Sequence, residues 1–201
     1  MKLPSDYNKA QAYKGPSNYL PAGNYVCAIT TARVEQTRST GADMLVIELD
    51  VAEGERRGFF TQQSKSFGTW PNAGVMRLVV TVKDRQSGQM VTNPMFKGFI
   101  EAVEASNRGY SFTQAGADEY TLVLKRVGVR FREEESEYNG EVRTRVVPWY
   151  AVPVDTLPDL DIPKLKELKK DSAASEPVAA YVAGMTSANG FTQVDNDGLP
   201  F

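Results

Sequence analysis

Histidine is absent from the 201 residues, and cysteine occurs once, at position 27. One Cys and no His exclude the usual zinc constellations and both the Ser-His-Asp and the Cys-His nucleophile pairs. A single thiol cannot close an intrachain disulfide, which points to a reducing compartment. No apolar run approaches the roughly 18 residues of a membrane span. The opening MKLPSDYNKA lacks the apolar core of a signal peptide, so a cytoplasmic protein without membrane contact is expected. Neither a P-loop nor a GxGxxG fingerprint occurs. Carboxylate-and-magnesium chemistry stays open, because Asp and Glu together number 25.

Charge is scarce in sum and uneven in place. The net charge is −2, so nothing global announces a nucleic acid or a membrane. From Asp171 onward, however, there are four acids and no Lys or Arg. An acidic tail therefore follows a nearly neutral body.

What is present reads mainly as strands. Residues 1–19 are a polar arm carrying Tyr7, Tyr13 and Tyr19. The turn at Pro21-Ala22-Gly23 leads into a strand over about 24–36. In MLVIELDVAE, Leu45, Ile47, Leu49 and Val51 share one face and Glu48 and Asp50 the other, a period of two. RSTGAD between these runs makes them a hairpin. GERRGFFTQQSKSF reads as a third strand, introduced by Gly54 and Gly58. MRLVVTVKD either continues it or stands alone. Phe96, Phe99, Ile100 and Val103 then fall at helical spacing, with Asn93 as N-cap, Pro94 as first helical residue, and Asn107 and Gly109 at the end.

Asn139-Gly140 is a strong two-residue hairpin signal. It pairs Tyr138 with Glu141, Phe131 with Pro148, Val129 with Tyr150 and Arg130 with Trp149. Val127, Val129, Phe131, Val146, Pro148, Tyr150 and Val152 then form the apolar face. Pro148 has no N–H for a central ladder, so it predicts an edge or a bulge there. The element order β-β-β-α-β-β matches a five-stranded OB barrel with one helix between strands 3 and 4; an open antiparallel sheet with a packed helix is the alternative. The domain plan is an arm (1–19), a barrel (20–155), a short extension (156–170) and a flexible acidic tail (171–201).

The second face of that hairpin interleaves Arg130, Arg132, Arg143 and Arg145 with Trp149. Single-strand binders use this mixture, because cations track phosphates while rings stack on bases. Arg56, Arg57, Phe59, Phe60, Lys65 and Trp70 are further candidates on and after the third strand. A solvated face with Glu134 paired to Arg145 has the same composition. Glu133, Glu134 and Glu135 alternate in direction along a strand and cannot converge on one metal ion. No cofactor is expected. Cys27 reads as a small buried hydrophobe.

The chain ends on DNDGLPF. A terminal Phe offers a ring and a carboxylate together, suited to an apolar pocket beside an Arg or Lys, with Asp195 and Asp197 meeting a basic rim. The segment resembles the acidic tip of bacterial single-stranded DNA-binding proteins, although Asn196 and Gly198 interrupt its acidic run. LPAGNYVCAITTARVE, MFKGFIEAVEASNRGY, VGVRFREEESEYNGEVRTR and VDTLPDLDIPKLKELKK resemble phage-encoded single-stranded DNA-binding proteins of Gram-positive hosts. The resemblance implies an OB fold, binding of single-stranded DNA without catalysis, and recruitment of replication and recombination proteins through Asp195, Asp197, Leu199, Pro200 and Phe201. A homo-oligomer, as a dimer in the bacterial host cytoplasm, is expected. Two other classes fit the residues: a protein-binding replication or recombination adaptor, and a magnesium-dependent nuclease.

Overall fold

The computed structural model describes residues 19–168. The N-terminal arm up to residue 18 and the tail with its terminal triplet lie outside the described residues. Five antiparallel strands make one sheet: β1 (Gly23–Gln36), β2 (Asp43–Val51), β3 (Val75–Val79), β6 (Arg126–Tyr138) and β7 (Glu141–Val152). Their spatial order is β3-β2-β1-β6-β7. Two short strands, β4 (Thr81–Lys83) and β5 (Met90–Thr92), form a separate hairpin after β3. The two edge strands of the large sheet, β3 and β7, come within 8 Å of each other between Cα atoms, yet no ladder joins them.

Period two explains the centre of the sheet. Leu45, Ile47, Leu49 and Val51 of β2 are all buried, as expected, and meet Cys27 and Ile29 of β1 and Val127, Val129 and Phe131 of β6 in one core. Cys27 is fully buried. Burial, reinforced by the charge of Asp50, pushes its thiol far above the ordinary range, so it stays protonated and inert. The helix α2 (Pro94–Ser106) covers this core with Phe99, Ile100 and Val103. Its start follows the sequence reading, because the Asn93 side chain accepts from the Met95 N–H at 3.0 Å and Pro94 opens the first turn.

The reading of GERRGFFTQQSKSF as a third strand is overturned. Phe59–Phe67 is a helix, α1, and the third strand of the sheet is β3, a separate run. The chain therefore carries a second helix before its third strand rather than a single helix after it. The cause is long-range. The buried carboxylate of Asp50 accepts from the Phe60 N–H at 2.9 Å, from the Thr61 N–H at 3.3 Å and from the Thr61 hydroxyl, satisfying donors that a helix start leaves open. Gly68 closes the helix in the left-handed region at φ 72°, the conformation that a C-terminal glycine supplies.

The β6–β7 hairpin turns at Asn139-Gly140, with Tyr138 opposite Glu141 and Phe131 opposite Pro148. Beyond that point the register changes. A bulge sets Arg130 opposite Tyr150 and Val129 opposite Ala151, so the expected pairs Arg130–Trp149 and Val129–Tyr150 do not form. Pro148 lies on an edge strand and directly beside the bulge, both places that tolerate a missing N–H. Trp149 is the extra residue.

After β7, a 3-10 turn at Val154–Asp159 seats Leu157 against β6. Gly128 makes the seat possible: a Cβ there would stand 2.8 Å from Leu157 Cγ and 2.8 Å from the Val152 carbonyl oxygen. Gly128→Ala is expected to cost about 2 kcal/mol, because overpacking against backbone has little room to relax. Urea denaturation checks it; an unchanged midpoint would contradict the packing account.

Residues 160–168 then run along β6. Lys166 forms a parallel bridge with Glu134; its N–H donates to the Glu133 carbonyl at 2.9 Å, and its carbonyl accepts from the Glu135 N–H at 2.9 Å. This is more structure than the short extension expected over 156–170. It exists because β1 pairs with β6 only through Phe131, leaving the rest of that β6 edge for another segment.

Candidate nucleic-acid interface

A groove of about 1040 Å³ lies along the seam where β3 faces β7. Strand β3 contributes Arg77, α1 contributes Phe59 and Phe67, the segment before β1 contributes Tyr19, and β7 contributes Arg145 and Trp149. The 3-10 turn at Asn72–Gly74 also lies against β7 and lines the groove through Asn72 and Ala73. Phe67 is 64% exposed and Trp149 is 37% exposed. Arg77 and Arg145 are exposed. Among the described residues neither forms an ion pair, and no acidic residue lines the groove. The groove thus offers flat rings and two guanidinium groups on one open surface.

The structure sorts the sequence candidates into three groups. Phe59, Arg145 and Trp149 meet in the groove. Arg56, Arg57, Lys65 and Arg143 lie outside it. Arg56 and Arg57 belong to the turn before α1, Lys65 is on α1, and Arg143 pairs with Glu141 at 2.8 Å near the hairpin tip. Burial pushes the phenol of Tyr25 up, and the positive charge of Arg56 partly offsets this.

Phe60, Trp70, Arg130 and Arg132 are engaged inside the protein. Phe60 is 0% exposed and is a core residue, a correction to its reading as a contact. Trp70 packs against the core, and its Nε1–H donates to the Gly74 carbonyl at 3.3 Å. Arg132 Nε donates to Glu134 at 2.8 Å. Arg130 donates to Asn24 Oδ1 at 3.2 Å, to the Tyr150 hydroxyl and to the Asp161 carbonyl at 2.6 Å. Glu134 pairs with Arg132 and Lys166, not with Arg145 across the strand. Burial raises the Glu134 carboxyl, but the Arg132 hydrogen bond and the charges of Arg132 and Lys166 outweigh this and hold it below the usual carboxylate range. A depressed carboxylate of this kind stabilises the fold above its unfolded value and loses that contribution as pH falls through the folded value.

Two groove residues, Arg77 and Phe67, are absent from the sequence candidates, and only the first has a signal in the sequence. In VMRLVV, buried Met76 and Leu78 flank exposed Arg77, so period two alone would have turned Arg77 outward. Phe67 became visible only with α1. The tip residues Asp195, Asp197, Leu199, Pro200 and Phe201 lie outside the described residues. No protein-family model and no curated protein sequence matches the chain.

Proposed function

We propose that the chain is a non-catalytic binder of single-stranded DNA with little sequence preference, built as an OB-type barrel left open at one seam. The observation that carries the reading is the groove, where Tyr19, Phe59, Phe67 and Trp149 stand beside Arg77 and Arg145. Rings of this kind accept any base, and guanidinium groups follow any backbone. The strand order and the helix before the fourth strand of the large sheet support the barrel reading; OB modules bind oligonucleotides on the face of their strands 2 and 3 and through the loops between strands 1–2 and 4–5, and the groove takes β3 as one wall. The acidic tail, with Leu199, Pro200 and Phe201 at its end, recruits replication or recombination proteins in this reading.

The test is a titration of fluorescent oligo-dT and of duplex at two salt concentrations. Single strand should bind well ahead of duplex, with affinity falling as salt rises. Arg77→Ala and Arg145→Ala should each reduce the log-log salt slope by about 0.7, the share of one phosphate contact on a single strand. Equal binding to both forms, or none to either, removes the proposal.

The adaptor reading has one observation in its favour. A second cavity of about 550 Å³ opens between α2 and residues 111–119, with Val34, Leu45 and Ile100 in its wall and Asp43, Glu101 and Glu119 among its polar residues. Acidic walls repel phosphates and suit a protein segment. Absence of salt-dependent oligonucleotide binding would move the conclusion to that reading.

A further inference from the structure

Trp149 sits at a bulge on an edge strand, a position with little backbone support for holding a ring in one orientation. Its support comes from behind. The guanidinium carbon of Arg132 lies 4.4 Å from the Trp149 ring centroid, and that of Arg130 lies 5.7 Å from it. Tyr150 meets Trp149 edge-on, with centroids 4.5 Å apart. Trp149 lines the groove, whereas Arg130 and Arg132 do not. One side of the indole therefore belongs to the arginines and another is presented at the seam.

These arginines are in turn held by the segment after β7. Arg130 donates to the Asp161 carbonyl, and Asn24 Nδ2 donates to the Leu160 carbonyl at 2.6 Å. Arg132 is fixed by Glu134, which Lys166 also reaches at 3.5 Å. The Leu168 N–H donates to Glu135 at 3.0 Å. A continuous relay runs from residues 160–168 through Glu134 and the two arginines to the indole.

We propose that residues 160–168, with Arg130, Arg132 and Glu134, form a brace that fixes Trp149 for base stacking, so that Arg132 is a positioning residue and touches no phosphate. This rests on the single-strand reading of the groove. A cation over the back of an indole restrains it and, being planar, stacks as well as attracts. Docking of the strap and stacking of a base on Trp149 are then linked. By reciprocity, whatever strengthens one strengthens the other by the same factor.

The test compares Arg132→Ala, Arg132→Lys and Arg145→Ala in the full chain by oligo-dT titration across salt, with thermal unfolding as the check on folding. Arg132→Ala should weaken binding about tenfold, the factor set by one partly desolvated cation–ring contact, with the salt slope of the unmodified chain. Arg132→Lys should recover little of the loss, because an ammonium lacks the flat face. Arg145→Ala should lower the slope. Lys166→Ala, at an exposed position on the strap, should weaken binding about twofold without altering the fold, in line with the small worth of an exposed ion pair. Amide exchange over residues 163–168 should slow when oligo-dT binds. A reduced slope for Arg132→Ala, full rescue by Arg132→Lys, or unchanged exchange would overturn the brace while leaving the groove reading standing. Failure of the unmodified chain to bind oligo-dT would end the groove reading itself.

Discussion

Trp149→Ala is expected to weaken oligo-dT binding by about five- to a hundredfold, the loss of roughly 1–3 kcal/mol of stacking on one ring. The salt slope should stay where it is, since no phosphate contact is removed. Fold stability should fall only modestly, because the ring, 37% exposed, sits on an extra residue at a bulge yet touches Arg132, Arg130 and Tyr150. The chain has two tryptophans, which makes a second readout available. Trp70 packs against the core and donates to Gly74, so quenching of tryptophan emission by oligonucleotide should come from Trp149 and vanish in the variant. Quenching that survives Trp149→Ala would place the stacking elsewhere.

The second large effect concerns stability and reaches the site through α1. Asp50 is the one buried charged residue among those described, 8% exposed. Its carboxylate accepts from the Val51 N–H at 2.9 Å and from the donors at the start of α1. Asp50→Ala leaves these donors buried and unpaired and removes a helix cap, for a combined cost of about 3 kcal/mol. For a chain of this size that is a fall in Tm of about 6–12 °C. Asp50→Asn should recover only part, because its amide would point N–H groups at N–H groups. Since Phe59 and Phe67 line the groove from α1, the alanine variant should also lose oligonucleotide affinity below its lowered Tm. A variant with normal stability would show that α1 does not depend on this cap.

The residues differ in how far they announced these features. Helix α2 was legible because its signals are local: Asn93, Pro94 and a four-residue apolar stripe. The β6–β7 hairpin was legible from Asn139-Gly140 as far as Phe131 and Pro148. Past Pro148 the pairing shifted by one, because a bulge is a property of two strands together and leaves no mark in the alternation of either. Helix α1 was misread because Gly58 and the aromatic pair Phe59-Phe60 suit a strand start, while its cap comes from Asp50, nine residues before Phe59. Gly68 was the local clue that the run is helical. Composition marked Arg130, Arg132, Arg143 and Arg145 alike as contacts. Which of them face the seam and which are held by Glu134, Asn24 and Asp161 depends on a strap that pairs with β6 in parallel, and a short parallel bridge has no sequence pattern of its own.

The 23 residues between β2 and β3 supply one wall of the groove. They carry α1 and the 3-10 turn, and Phe59, Phe67, Asn72 and Ala73 from them line the groove that β3 and β7 also line. Two strand edges with unpaired backbone groups tend to zip together wherever they can approach. Here no ladder joins β3 to β7, and side chains line the groove along these two edges. Shortening this insertion is therefore expected to take the Phe59 and Phe67 rings out of the groove wall, and a fall in oligo-dT affinity would report it.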